Sequence, residues 1–326
     1  MSENSITIRS DQLTVEIARP GKVYQGKRFD WSGFITQVTL DGAHTFCVPE
    51  SYQPGQGTGG IGLCNEFGID MPVGYADAKP GELFPKLGIG LLQREEEPAY
   101  NFFKPYTLVT PFPMQIQEDA NRVSFLVEPV ETRGYAAKLT KTLTVNGKTL
   151  QVAYHLENTG SQPLKTNEYC HNFMGIDSKP MGPEYRLRFP YAVKFEELTG
   201  QATALGPKWM RYLPKFISKG MVERRMRGMQ SILQVNNADM TLRETPKTPF
   251  YTRTVGFTNT DLPQWELAYL PLGIAMREYN DFSPARVAIW GVTHVISVEV
   301  FIAIDLLPGQ AIQWSRRYEF LEIADE

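Results

Sequence analysis

The 326-residue chain predicts an all-β protein, a large antiparallel β-sandwich with few short helices. Short runs of alternating apolar and polar residues recur along the chain, and turn residues separate them. The dipeptide Asn146-Gly147 lies between two such runs, and it is typical of a hairpin turn because both residues accept a positive φ. Many short strands with few helical patterns favour a sandwich or a barrel.

The candidate strands follow one another along the chain, beginning with an opening pair. They are Ile6–Arg9, Leu13–Ile17, Phe34–Leu40, Leu108–Gln117, Arg122–Pro129, Lys138–Val145, Thr149–Leu156, Leu267–Leu270, Arg286–Trp290, Val295–Ile304 and Ala311–Phe320. A further strand follows the polar turn within Tyr154–Asp177. Two regions depart from this pattern. The glycine- and proline-rich stretch Pro54–Pro85 predicts a long loop, of a length that is usually functional or disordered, and the basic stretch Ala204–Met229 predicts a short helix or a flap.

Composition excludes several classes of partner. The 33 basic and 36 acidic residues nearly cancel, so no global field attracts nucleic acid or an anionic membrane. The apolar run Val287–Ile304 contains Gly, Thr, His, Ser and Glu, and it predicts buried strands rather than a spanning helix. The three cysteines match no redox motif, and the N-terminus lacks the pattern of a signal peptide. We therefore expect a cytoplasmic protein with one domain over residues 1–326.

His171 lies on the strand that follows the polar turn. On a strand, Tyr169, His171 and Phe173 share one face, while Asn172 belongs to the other. A histidine between two aromatic rings suits a sugar site, because rings stack on a pyranose and imidazole reaches an oxygen. A core histidine that donates to a backbone carbonyl is the alternative. We include Tyr169 and Asn172 among the candidate substrate-binding residues.

Glu299 lies in the most apolar stretch of the chain. A buried carboxylate either has a partner or has a raised pKa, so Glu299 is a candidate base or the partner of Arg28 or Arg253. His294 precedes it by an odd number of residues, which places the two on opposite faces of a regular strand. His294 is therefore a candidate only for substrate binding.

Cationic and aromatic side chains complete the candidate site. Arg28 and Trp31 could hold a sugar by hydrogen bonding and stacking, or they could form a local salt bridge over a core tryptophan. Lys86 and Arg253 are further cationic candidates. The glycine-rich loop lacks the ending of a phosphate-binding loop, and no motif has the spacing of metal ligands, so neither a cofactor nor a metal is expected.

Two segments resemble the aldose 1-epimerase (galactose mutarotase-like) family. Leu150–Leu164 is similar to the strand and Asn-x-Gly turn that precede the family's catalytic histidine, whose place His171 occupies. Ser297–Phe301, followed by the turn Leu307–Gln310, is similar to the family's ending, with Glu299 in the place of the catalytic glutamate. The upstream loop lacks the second active-site histidine of typical sugar mutarotases.

The resemblance implies a β-supersandwich that interconverts the α and β anomers of an aldose or an aldose phosphate without a cofactor. Glu299 would be the base, with a pKa raised by burial, and His171 the protonated acid. Both would face one cavity, with room for a sugar ring between them. The expected partner is a small sugar or sugar phosphate, bound by a monomer or a homodimer.

Three other functions fit the same residues. One is a non-catalytic carbohydrate-binding or sensing module on this fold. Another is a sugar-phosphate epimerase, for which Arg28, Lys86 and Arg253 would have to converge. The last is a lyase or isomerase of a uronate or keto-sugar, with Tyr169 as its acid or base.

Overall fold

The computed structural model describes residues 3–96, 99–195, 232–257 and 264–323. The stretch Ala204–Met229 lies outside these ranges. Within them the strands are, in chain order, β1 (Ser5–Arg9), β2 (Leu13–Ala18), β3 (Phe34–Leu40), β4 (His44–Thr45), β5 (Gly62–Phe67), β6 (Leu83–Lys86), β7 (Gly90–Gln93), β8 (Leu108–Pro111), β9 (Met114–Asp119), β10 (Arg122–Val127), β11 (Ala137–Asn146), β12 (Thr149–Asn158), β13 (Leu164–Phe173), β14 (Tyr185–Arg188), β15 (Lys194–Phe195), β16 (Leu233–Asn236), β17 (Asp239–Leu242), β18 (Phe250–Val255), β19 (Gln264–Tyr269), β20 (Ile274–Asn280), β21 (Arg286–Val292), β22 (Val295–Leu306) and β23 (Ala311–Glu322). Short 3-10 turns cover Ile176–Ser178 and Leu270–Leu272.

The strands form two large antiparallel sheets and a small one, which confirms the predicted fold class. The first sheet has the order β1-β2-β3-β5-β13-β22-β21-β18-β15, with β4 paired to β3. The second has the order β16-β17-β14-β19-β20-β23-β12-β11-β10-β9, and β6, β7 and β8 form the third. Alternating burial along β11 and β12 places one side of each strand in the core. Residues of both large sheets, such as Val38 and Leu143, belong to one apolar cluster.

Two predictions about local structure are confirmed in outline. The run Val287–Ile304 divides between the neighbouring strands β21 and β22, and no helix in the described ranges is long and apolar enough to cross a membrane. The β11–β12 hairpin is also present, but Asn146 pairs with Thr149, so Gly147 and Lys148 are the turn residues. Gly147 has a φ of +54° and Asn146 keeps a strand conformation, so only the glycine needs the left-handed region.

Two predictions are wrong. Leu108–Gln117 is not one strand, because prolines at 111 and 113 interrupt it and its halves β8 and β9 belong to different sheets. Pro54–Pro85 is not one loop, because it contains β5 and the beginning of β6. All six residues of β5 are buried between β3 and β13, so this central strand lacks the alternation that identifies a half-exposed one.

Candidate active site

The neighbouring strands β13 and β22 bring His171 and Glu299 together. Tyr169 pairs with Phe301, and Met174 bridges to Ile296 in the same antiparallel register. That register places His171 opposite Glu299, and Nε2 of the imidazole lies 3.3 Å from Oε1 of the carboxyl group. The two side chains therefore contact each other directly. The expectation of a sugar ring between them is wrong, because cross-strand neighbours leave no such space.

Aromatic rings surround the imidazole of His171. Phe173 stacks on it with ring centroids 3.9 Å apart, and Trp290 meets it edge-on at 5.3 Å. Phe29 meets it edge-on from another side at 6.0 Å. His171 is only 4% exposed, and its Nδ1 has no hydrogen-bond partner among the described residues. One ring nitrogen thus contacts the carboxyl group, and the other is buried without a hydrogen-bond partner among the described residues.

Burial decides the protonation of this pair. Removal from water raises the pKa of Glu299 to about 7, although nearby Arg28 and Arg286 lower it. Removal from water also lowers the pKa of His171 well below its usual value, and the Arg28 charge lowers it further. Near neutral pH these shifts favour a proton on the carboxyl group and a neutral imidazole. The expectation that His171 stays protonated is wrong, because desolvation penalises the charged form of each partner.

Arg28 is buried beside this pair and is already bound by protein groups. Its Nε lies 2.8 Å from Oε2 of Glu66, and its Nη2 donates to the Tyr169 hydroxyl at 2.9 Å. Its Nη1 donates to Oγ1 of Thr58 at 3.0 Å. Arg28, Glu66 and Tyr169 thus form a closed ring of hydrogen bonds. Arg28 therefore does form a salt bridge, but its partner is the buried Glu66 and not a residue close to it in the sequence.

Glu66 is the acidic residue at the centre of this arrangement, and the sequence did not point to it. It lies on β5, is fully buried, and accepts hydrogen bonds from Arg28, Tyr169 and Lys86. Lys86 Nζ lies 3.3 Å from Oε1 of Glu66 and donates to the Phe67 carbonyl at 2.6 Å. Arg28 and Lys86 therefore converge on Glu66. The isolated carboxylate in Gly62–Phe67 was the available signal, but the glycine-rich context concealed a buried strand.

Tyr169 connects the Arg28–Glu66 hydrogen bonds to the His171–Glu299 pair, because it lies beside His171 on the same face of β13. Its ring stacks on Phe301 with centroids 4.4 Å apart, and its hydroxyl donates to Glu66 at 2.8 Å. Burial raises the pKa of Tyr169 well above its usual value. The hydroxyl is therefore neutral and serves the network as both donor and acceptor.

Trp31 and Arg253 lie on the same side of the sheet as the pair. Trp31 packs against the aromatic cluster that contains Phe29 and Phe173, and its indole donates to the Gly26 carbonyl at 2.9 Å. Arg253 lies two strands from Glu299, because it pairs with Ala288 and Ala288 pairs with Glu299. Arg253 also hydrogen-bonds to Tyr251.

The structure does not bring Asn172 or His294 to the pair. Asn172 points between the two large sheets, where its amide donates to Glu278 at 2.9 Å and to the Val298 carbonyl at 2.7 Å. His294 lies in the turn between β21 and β22, where Nε2 is 2.8 Å from the Pro49 carbonyl oxygen.

Arg286 is a second neighbour that the sequence reasoning missed. Its guanidinium lies 3.6 Å from the centroid of the Phe301 ring, and Nη1 is 2.9 Å from Oδ2 of Asp70. Arg286 belongs to β21, beside the strand that carries Glu299. Among the described residues, no group of three or more His, Cys, Asp or Glu side chains is placed to hold a metal ion.

Comparisons with known proteins establish the fold. No protein-family model matches the chain, and no curated protein matches it. The structure is similar to the galactose mutarotase related enzyme of Lactobacillus acidophilus, at 11% identity and a TM-score of 0.56, over 99% of each chain. It is similar to a galactose mutarotase-like protein of Lactobacillus casei, at 13% identity and a TM-score of 0.55, over 97% of this chain and 100% of the other. A GalM/aldose epimerase homologue of C. elegans gives 12% identity and a TM-score of 0.53, over 99% and 100%. This protein therefore has the galactose mutarotase-like fold.

Proposed function

We propose that the protein is an aldose 1-epimerase that interconverts the α and β anomers of an aldose or an aldose phosphate. The observation that carries this proposal is the contact of 3.3 Å between His171 Nε2 and Glu299 Oε1. Similarity to proteins of the galactose mutarotase-like fold supports it. The proposal assigns both proton-transfer steps to these two side chains.

The geometry of the pair suits a cyclic hemiacetal. Ring opening removes the proton from the anomeric hydroxyl and delivers a proton to the ring oxygen. Both oxygens are bonded to the anomeric carbon, so the groups that exchange these protons must lie side by side. His171 and Glu299 are in contact, and a sugar that lies over the pair would meet both.

The protonation state of the pair supplies one acid and one base. In ring opening, neutral His171 takes the proton of the anomeric hydroxyl while protonated Glu299 gives its proton to the ring oxygen. The bond from the anomeric carbon to the ring oxygen breaks and an aldehyde forms. Rotation about the C1–C2 bond and the reverse transfers close the ring as the other anomer. The roles in opening are thus the reverse of those that the family resemblance implied.

The contact within the pair offsets part of the desolvation cost of its charged intermediate state. After ring opening, His171 is an imidazolium and Glu299 is a carboxylate, and their contact favours this ion pair. Trp290 and Trp31 are half-buried beside the aromatic cluster around His171, and their rings suit stacking on the apolar face of a sugar.

Tyr169 is less suited to be the acid or base of the lyase alternative, because burial disfavours its ionised form.

Anomer exchange tests the proposal directly. We expect the wild-type protein to accelerate exchange of at least one sugar in a panel of aldoses and aldose phosphates, followed by polarimetry or NMR exchange spectroscopy. His171→Ala and Glu299→Gln should each lower the rate by roughly 10²- to 10⁴-fold, because each removes one proton-transfer group.

The variant His294→Gln is the matched control, since His294 contacts a backbone carbonyl away from the pair. It should exchange anomers at the wild-type rate. Equal rates for wild type and His171→Ala on every sugar would show that the pair is not catalytic. Sugar binding without any exchange would instead favour the non-catalytic module.

A further inference from the structure

The sheet face that carries the His171–Glu299 pair is closed on the side of β5. All six residues of β5 are buried. Arg28 binds Glu66 of this strand at 2.8 Å, and its guanidinium lies 4.4 Å from the centroid of the Phe102 ring. The described residues therefore leave no exposed side chain of β5 beside the pair.

The other side of the pair, toward β21 and β18, is more open. Arg253 pairs with Ala288, and Ala288 pairs with Glu299, so the three residues share one face of the sheet. Residues two positions away along each strand lie on that face as well. The half-buried side chains of this side are Arg286 and Trp290 on β21 and Tyr251 and Arg253 on β18. A sugar that lies over the pair would therefore extend toward β21 and β18.

Two arginines converge on this open side. Arg286 pairs with Phe301, two residues after Glu299, and its guanidinium lies 3.6 Å from the centroid of the Phe301 ring. Arg253 lies two strands from Glu299, which is about 10 Å at the usual strand spacing. Arg253 also hydrogen-bonds to Tyr251. Burial raises the pKa of Tyr251, and the charges of both arginines lower it, so both act on the same hydroxyl.

The guanidinium of Arg286 has donors that protein groups do not use. Among the described residues, Asp70 alone accepts a hydrogen bond from it, at 2.9 Å from Nη1, and Nε has no partner. The Arg286 side chain is 19% exposed. Arg28 differs, because each of its three guanidinium nitrogens donates to a protein group. A partly exposed guanidinium with unused donors suits an oxyanion that arrives with a ligand.

We propose that Arg286 and Arg253 form an anion subsite beside the His171–Glu299 pair, which binds the phosphate ester or the carboxylate of an anionic sugar. The catalytic meaning of this subsite rests on the proposed function, whose substrate it narrows to anionic aldoses. The anomeric carbon lies over the pair, and the anionic group extends over β21 toward β18. Phosphate and carboxylate oxygens both accept the paired N–H groups of a guanidinium, so the experiment has to separate these two anions.

Matched sets of sugars test the subsite. Each set contains a neutral aldose, its 6-phosphate and its uronate, in the gluco, galacto and manno configurations, and isothermal titration calorimetry on the full chain gives the dissociation constants. In at least one set an anionic sugar should bind roughly 10- to 100-fold more tightly than the neutral aldose, because hydrogen bonds to charged groups are strong. Preference for the 6-phosphate identifies a phosphate site, and preference for the uronate identifies a carboxylate site. Equal affinities within every set, or no binding of any sugar, would overturn the proposal.

The variant Arg286→Gln tests the assignment of the residues. The preference for the anionic sugar over its neutral counterpart should fall roughly tenfold, because one charged donor group is lost. Arg19→Gln is the matched control, since Arg19 also has an acidic partner at 2.8 Å and a side chain that is 28% exposed. The control should keep the wild-type preference. An unchanged preference in Arg286→Gln would contradict the assignment.

Two further comparisons keep the test decisive. If Arg286→Gln does not fold, Arg253→Gln takes its place, with the same expected fall in preference and the same contrary outcome. Binding and anomer exchange are measured separately, so the two proposals can fail independently. Preferential binding of an anionic sugar without exchange would refute the proposed function and support the subsite. Exchange of a neutral aldose without any preference for anionic sugars would support the proposed function and overturn the subsite.

Discussion

The two faces of strand β13 carry buried polar groups of similar kinds but pair them differently. On the outer face, His171 contacts Glu299, and the carboxyl group has no guanidinium bound to it among the described residues. On the inner face, between the large sheets, Glu168 lies 2.7 Å from Nη2 of Arg316. Both faces are almost completely shielded from water. The two buried acids thus differ in their partner, which is an imidazole on the outer face and a guanidinium on the inner face.

The inner network is dense and satisfies most of its members. Arg316 binds Glu168 at 2.7 Å and Glu278 at 3.1 Å, and it also donates to Asn280 and to the Val300 carbonyl. Glu278 accepts further hydrogen bonds from Trp265 at 3.0 Å and from Asn172. Such a network joins the two sheets, and within it burial raises the pKa of Glu278 although the Arg316 charge lowers it.

The outer pair has a different balance. Glu299, its acid, contacts an imidazole whose own pKa is lowered by burial. Burial also raises the pKa of Glu299 to about 7. Nδ1 of His171 has no partner in the described part of the chain. The protein thus leaves its outer acid near the point of titration, which is the state that general acid–base chemistry requires.

The largest expected effect comes from breaking the inner network. Arg316→Met removes the only guanidinium that the described residues place on Glu168 and Glu278, so two buried carboxylates lose their charge partner. The free energy of unfolding should fall by about 3–5 kcal/mol. Chemical denaturation followed by circular dichroism measures it.

The control for Arg316 is an arginine in an exposed pair. Arg188→Met removes a contact of 2.8 Å to Asp239, in which the side chains are 38% and 32% exposed. Its cost should be below about 1 kcal/mol. Similar costs for the two arginines would show that the inner network does not stabilise the sandwich beyond an ordinary surface pair.

The alternating strands and the residues of the candidate site differ in how far the sequence predicts them. Alternation predicts β11, β12 and β23, because one side of each is covered and the other is not. Strand β5 escapes this reasoning because it is covered on both sides. Glu66, which β5 carries, was therefore missed.

The contact of His171 with Glu299 also lies beyond local pattern. Glu299 stands out as a charge in an apolar run, and His171 stands out by its aromatic flanks. Their contact depends on the register between β13 and β22, which is set by residues far apart in the chain. From the sequence, only the family resemblance indicated that His171 and Glu299 belong to one site.

A smaller effect is expected from removing the titratable acid of the outer pair. The folded protein binds the Glu299 proton more tightly than the unfolded chain, because burial raises its pKa from 4.5 to about 7. The stability that this proton contributes is fully present below pH 4.5, and it is lost as the pH rises through about 7. Glutamine in Glu299→Gln has no titratable proton, so the stability of this variant does not fall in this way as the pH rises. Between these pH values the variant should gain roughly 3 kcal/mol relative to wild type.

Denaturant unfolding of both proteins at about pH 4.5 and about pH 8 measures this difference. The low pKa of His171 acts in the opposite direction, but it is common to both proteins and cancels in the comparison. A difference in stability that stays constant with pH would mean that Glu299 titrates normally in the folded protein. The outer pair would then resemble the inner network.

Among the buried residues of the two faces, the smallest effect is expected from Asn172, the next residue after His171 on the opposite face of the strand. Its amide donates to Glu278, and its carbonyl oxygen accepts from the Tyr318 hydroxyl at 3.2 Å. Asn172→Ala should cost about 1–3 kcal/mol in unfolding free energy, because it leaves these buried groups short of a partner. The rate of anomer exchange should not change, since the side chain does not reach the outer pair.

The unfolding free energy and the rate of anomer exchange should both be measured in His171→Ala and Asn172→Ala. The two faces of β13 are then compared at adjacent residues. The histidine variant should lose exchange, whereas the asparagine variant should lose stability and keep exchange at a temperature where it is folded. If Asn172→Ala lost exchange to the same extent while folded, the two faces of β13 would be coupled. The inner network would then belong to the proposed chemistry as well as to the architecture, because the paired strands β13 and β22 carry residues of both faces.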